Sequence, residues 1–221
     1  MSNIVYTYYD GIYEGDGDVL SEDAEKQHEL MAGWKRSWSK RGWSPQVLTA
    51  KDAMLHPLYD MYTERCSKLP TANMPAYEMA CYHRWLAVAA KGGGFMSDYD
   101  VINYSFTPTQ PQADLVIFES NSTEDNVTPS VVGGSAAGFT TAAMIFATCD
   151  GNSVRLDEGS TPHTSDMIIL QHMKHSGIYA TCPIVKQYGT KGWKEAPLVH
   201  FSHGATRNIN RGKFALESRP I

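Results

Sequence analysis

Two aspartates separated by one residue, Asp98-Tyr99-Asp100, are the first residues here whose type and spacing could do chemistry. Alternate carboxylates can share one hard divalent cation, Mg2+ or Mn2+, through their oxygens. Such an ion could act as a Lewis acid on a departing phosphate group. The tripeptide alone is a weak signal, because Asp16-Gly17-Asp18 has the same form and its glycine-rich surroundings suggest a surface turn. Context separates the two. Asp98 and Asp100 follow a helical pattern, the glycine run Gly92-Gly93-Gly94 and a short strand Phe95-Met96-Ser97. Open α/β sheets bind ligands at the carboxyl ends of their strands, which is where this pair falls.

The elements needed to position that pair can be read from local patterns. Ile4 to Tyr9 is β-branched and aromatic and predicts a first strand. A helix is expected from about Glu22 to Lys40, with Ser21 as N-cap and Glu22, Asp23 and Glu25 at the positive end of its dipole. Pro45 to Thr49 reads as a short strand, with short helices between Lys51 and Lys68. Pro75 to Lys91 is the clearest helix: a proline suits its first turn, glycines stop it, and Met79, Tyr82, Leu86 and Ala89 share one core-facing stripe. One strand is expected from Phe95 to Ile102 and another from Asp114 to Phe118. Helices follow at Ala136 to Cys149 and Ser165 to His175, and late strands at Pro183 to Lys186 and Pro197 to Phe201. The alternation predicts a single α/β domain over residues 1–221, with a mixed, largely parallel central sheet flanked by helices.

The segment Tyr77 to Ile102, Y-E-M-A-C-Y-H-R-W-L-A-V-A-A-K-G-G-G-F-M-S-D-Y-D-V-I, resembles the core signature of DXD glycosyltransferases of the GT-A fold. It is most like the Golgi-type mannosyltransferases and the clostridial glucosylating toxins. In those families a helix bearing an arginine leads through glycines and an aromatic/apolar pair to the acidic motif. Arg84 stands one residue further from that motif than the usual pattern places it. The resemblance implies a GT-A-like fold and metal-dependent transfer of a sugar from a nucleoside-diphosphate sugar to an acceptor hydroxyl, with retained anomeric configuration.

It further implies that Asp98 contacts the ribose or the metal, that Asp100 binds Mn2+ or Mg2+ directly, and that Arg84 lies near the sugar or the phosphates. A histidine ending a late strand would complete the metal shell; His203, before Gly204, is favoured, and His200 is the alternative. Arg207, Arg211 and Lys213 could hold the diphosphate. Tyr8 or Tyr9, ending the first strand, would stack on the nucleobase. The polar run from Glu119 to Asn126 offers Glu119, Asn121 and Asp125 for sugar hydroxyls or the acceptor, and Asp125 is the nominal base. Small residues from Pro129 to Gly138 would let a ligand approach the backbone and a helix N-terminus, or serve packing.

Composition bounds the partners. A net charge of −5 argues against a general nucleic-acid coat. Trp34 to Trp43 interleaves basic and aromatic residues, which either grips nucleic acid or packs its tryptophans inward. The acceptor could therefore be a glycan, a protein or a hydroxylated nucleic-acid base. No apolar run approaches the ~20 residues of a membrane span, and the N-terminus lacks a secretory pattern, so a cytoplasmic location is expected. Cys66, Cys81, Cys149 and Cys182 are scattered and read as reduced thiols. His163, His172 and His175 lack the partners of a zinc site. Two other classes remain: a metal-dependent phosphohydrolase or nucleotidyltransferase, and a binding domain without turnover.

Overall fold

The structure, a computed structural model, describes residues 3–11, 24–120, 127–150 and 162–202. Its centre is a six-stranded mixed sheet in the order β2-β1-β3-β6-β5-β7. The strands are β1 (Ile4–Tyr8), β2 (Ser44–Leu48), β3 (Gly93–Ser97), β5 (Leu115–Ser120), β6 (Val127–Ser135) and β7 (Ala180–Thr181). Neighbours pair in parallel except for β6, which runs antiparallel to both β3 and β5. The largely parallel arrangement expected from the sequence is therefore present, with one reversed strand inside it.

Side chains alternate across a strand, so each strand supplies two layers. Tyr6, Met96, Leu115, Ile117 and Val132 face a helical layer. That layer contains α2 (Ala50–Ala53), α3 (Tyr59–Cys66), α4 (Pro75–Ala90), α5 (Ala136–Thr148) and α6 (Asp166–His172). Val5, Phe95, Val116, Phe118 and Val131 face the opposite way, onto Trp34 and Trp38 of α1 (Ala24–Ser39) and onto a second sheet. This smaller sheet has the order β4-β9-β8, from β4 (Val101–Asn103), β8 (Val185–Gln187) and β9 (Leu198–His200).

Trp34, Trp38 and Trp43 are buried, and Lys35 and Arg36 remain exposed. Each indole finds an acceptor: Trp34 Nε1 donates to Ser97 Oγ at 3.3 Å, Trp38 Nε1 to Val101 O at 3.1 Å and Trp43 Nε1 to Phe106 O at 2.8 Å. This stretch is a core anchor, and its rings are not available for stacking on nucleic acid.

Three expectations need correction. The strand foreseen from Phe95 to Ile102 is two strands in two sheets, broken at Asp98 to Asp100. The late strands do not join the central sheet; they form the smaller one with β4. Pro129 to Gly138 is not an open approach to a helix but mostly β6, whose Gly133 lies under two aromatic rings. A Cβ there would sit 3.0 Å from Phe95 and 3.1 Å from Phe118. α4 ends at the glycine run as expected, and Gly93 must be glycine twice over. Its φ is +85°, and a Cβ would fall 2.5 Å from Ala136 N. The four cysteines are free thiols. Among the described residues, no helix is long and apolar enough to cross a membrane.

Candidate metal centre and its cleft

At the carboxyl end of β3, Asp98 N–H donates to Ser130 O of β6 at 2.7 Å. Val101 N–H then closes a turn onto Asp98 O at 3.0 Å, and Phe201 N–H bonds Asp100 O at 2.9 Å. The acidic pair thus lies on the turn that carries the chain from the central sheet to the smaller one, pinned to both. β9 brings in His200. Asp98, Asp100 and His200 each offer a ligand atom, and these atoms lie within 4.8 Å of one another.

The imidazole is held from both sides. His200 Nδ1 lies 2.7 Å from Glu119 Oε2, and His200 Nε2 lies 3.4 Å from Asp100 Oδ1. Ser130 Oγ donates to the same Glu119 oxygen. A carboxylate behind a histidine fixes the ring and its tautomer, an arrangement common behind metal-bound imidazoles. Burial opposes the charged ring, but Glu119 and Asp100 outweigh it and hold His200 well above its ordinary value. Burial likewise raises Asp98, with Asp100 adding to the rise and Arg84 opposing it.

Arg84 reaches the pair from α4. Its Nη1 donates to Asp98 Oδ1 at 2.6 Å, and its Nη2 and Nε donate to Asp166 Oδ2 at 2.6 and 3.1 Å. Trp85 Nε1 also donates to Asp166 Oδ2 at 2.9 Å, and Met167 N–H donates to Oδ1 at 2.7 Å. The guanidinium is therefore a clamp between two carboxylates and a wall of the cleft. Asp166 was not foreseen. As the first residue of α6 it reads from sequence as an ordinary acidic helix start.

These residues line one cleft of about 500 Å³, within the usual range for a small-molecule site. Tyr8 and Tyr9 line it from the end of β1. The Tyr9 ring meets Tyr99 edge-on at 5.8 Å, and Tyr8 hydroxyl donates to Asp10 at 3.4 Å. Glu119, offered by the sequence for sugar hydroxyls or the acceptor, lines the cleft with its carboxylate on His200. Of the two late histidines, His200 joins the pair, whereas His203 lies outside the described residues, as do Asn121, Asp125, Arg207, Arg211 and Lys213. Among the described residues, His163, His172 and His175 gather into no metal-ligating group.

The donor set fits a hard or borderline divalent ion: two carboxylates and one imidazole, without thiolate. Charge agrees. With His200 neutral, as a ligand must be, and all four carboxyls ionised, Asp98, Asp100, Glu119 and Asp166 exceed the cationic Arg84 by three, an excess that a divalent ion would reduce to one.

A search of curated proteins finds no match to the chain. Residues 2–116, just over half of it and including both aspartates, match a family described as a domain of unknown function, and the protein belongs to that family, DUF8765.

Proposed function

We propose that this protein is a metal-dependent glycosyltransferase of GT-A type, moving a sugar from a nucleoside-diphosphate sugar to an acceptor hydroxyl. The observation that carries the reading is the convergence of Asp98, Asp100 and His200 in a small-molecule cleft where carboxylates outnumber cations. The mixed α/β sheet with helices on it supports the same reading, as does the place of the acidic pair at a strand's end.

A Mn2+ or Mg2+ bound by these three side chains would supply Lewis-acid neutralisation of the charge that gathers on a departing diphosphate. Glu119 keeps the His200 ring in place with Nε2 toward Asp100. Arg84 holds Asp98 against the cleft wall while Asp166 anchors the guanidinium from behind. Tyr8 and Tyr9 offer rings where a nucleobase would enter. With Trp34, Trp38 and Trp43 buried, the feature that favoured a nucleic-acid acceptor is gone, and a glycan or protein hydroxyl is the better candidate.

The reading is tested by thermal shift with nucleoside diphosphates and their sugars, with and without Mn2+. A one-site ligand at a hundredfold excess over its Kd stabilises the fold by about 2.7 kcal/mol. Asp100→Ala should remove the Mn2+-dependent part of that shift; persistence of the full shift in this variant would overturn the assignment.

A further inference from the structure

The cleft has a second chemical pole. Glu78, Cys81 and Arg84 follow one another at intervals of three along α4, and all three line the cavity. Side chains at that spacing share a helix face, and the six steps from Glu78 to Arg84 cover about 9 Å of helix axis. The Arg84 end of this face is thus nearly two helical turns from Glu78.

Glu78 is 3% exposed. Its Oε1 accepts from Asn73 Nδ2 at 2.5 Å and lies 3.7 Å from His163 Nε2. Its Oε2 is buried and has no hydrogen-bond partner among the described residues. His163 cannot neutralise this carboxyl. Its Nδ1 accepts the Ala72 N–H at 3.2 Å, so the proton of the neutral ring sits on Nε2, and burial lowers the ring's pKa. Among the described residues the nearest permanent cation, Arg84, already serves Asp98 and Asp166. A buried carboxyl with one vacant oxygen and no cation of its own is costly to the fold, and such groups concentrate where a protein handles protons.

We propose that Glu78 is the catalytic base of this cleft, its carboxylate accepting the proton of the attacking acceptor hydroxyl. The proposal rests on the sugar-transfer reading. The acceptor O–H proton passes to Glu78, and the acceptor oxygen's electron pair forms the new bond to the anomeric carbon. The bond from that carbon to the diphosphate oxygen breaks on the opposite face, and its electron pair stays on the diphosphate. This single displacement inverts the anomeric carbon, in place of the retention that the resemblance implies. Asn73 remains on Oε1 throughout and orients the carboxyl.

The proton affinity suits the task. Burial, the largest influence, lifts Glu78 from 4.5 to about 7 against its bond from Asn73; Asp166 of α6 adds to the rise and Arg84 opposes it. Cys81 and Tyr82, on the same helix, are pushed up by burial and stay neutral. A base is most effective when its pKa lies near the working pH. Asp125, the nominal base from sequence, lies outside the described residues.

The experiment follows release of nucleoside diphosphate from a panel of nucleoside-diphosphate sugars with Mn2+, water serving as acceptor, beside thermal shifts on the same samples. Glu78→Gln keeps an oxygen for Asn73, so it should keep the Mn2+-dependent shift while release slows a hundredfold or more. The wild-type kcat/KM should rise with pH through about 7, and this limb should vanish in the variant. Formate should restore part of the rate to Glu78→Ala, which a merely structural carboxyl would not allow. Release by Glu78→Gln within threefold of wild type overturns the role of Glu78, as does a slow Glu78→Ala that formate does not help. If Asp100→Ala meanwhile loses its Mn2+ response, the transfer reading survives that failure. No Mn2+-dependent shift and no release by the wild type would remove both.

Discussion

The two poles of the cleft handle buried charge in opposite ways. At the β3 end, every carboxylate described has a cationic neighbour: Arg84 lies between Asp98 and Asp166, and His200 between Asp100 and Glu119. At the α4 end, Glu78 is buried too and, among the described residues, has only an amide and a neutral imidazole beside it. The first pole is organised to hold its negative charge and to accept more positive charge. The second is organised to make negative charge expensive and hence to hold a proton. One helix, α4, supplies a residue to each.

The largest expected effect tests the compensated pole. Asp166→Ala leaves Arg84 without its two-point partner, and breaking a buried pair typically costs 3–5 kcal/mol, or about that much here. Urea unfolding of the variant measures it, and a loss below about 1 kcal/mol would mean that Arg84 is not held from behind. The next effect tests the uncompensated pole through pH. Because the folded-state pKa of Glu78 is raised from 4.5 to about 7, the native protein binds more protons than the unfolded chain across that window. Its contribution to stability therefore falls as pH rises, by roughly 3 kcal/mol from below 4.5 to above 7. The stability difference between wild type and Glu78→Gln, measured at pH 4 and pH 8, should change by that order, with the variant gaining at high pH.

Two smaller effects sharpen the contrast. Glu119→Gln replaces the carboxylate behind His200, and loss of such a partner typically weakens a metal site 10- to 100-fold, about 1.4–2.7 kcal/mol. Calorimetric titration with Mn2+ reads this directly. Asn73→Ala removes one hydrogen bond to Glu78, worth about 1 kcal/mol. Since Asn73 lowers the Glu78 pKa, its removal should also move the pH midpoint of the Glu78-dependent stability upward.

The sequence carried the compensated pole better than the other. Asp98 and Asp100 stood out because a helix, a glycine stop and a short strand precede them, all local signals. Arg84 was visible as the arginine of that helix, but its partner Asp166 lies 82 residues away, and nothing local distinguishes it from a first-turn acid. The choice between His200 and His203 needed the second sheet. His200 shares the face of β9 that carries Leu198 toward the central sheet, whereas Val199 turns to the other side. β6 escaped because Pro129 and two glycines argue against a strand; packing of Phe95 and Phe118 over Gly133 overrides that propensity. Glu78 escaped for a similar reason. It sits one position off the stripe of Met79, Tyr82 and Leu86, where a charged residue would ordinarily be wet, and Asn73 and His163, from the segments before α4 and α6, close over its carboxyl.

The crossing through Asp98-Tyr99-Asp100 has a mechanical consequence. Its flanking hydrogen bonds run to β6 on one side and to the end of β9 on the other, and the Glu119–His200 contact spans the same gap. An ion seated there would act as a rivet between two layers joined otherwise by apolar packing. Occupancy and rigidity of the smaller sheet would then rise together, and the amides of β8 and β9 would exchange with solvent most slowly in the loaded protein.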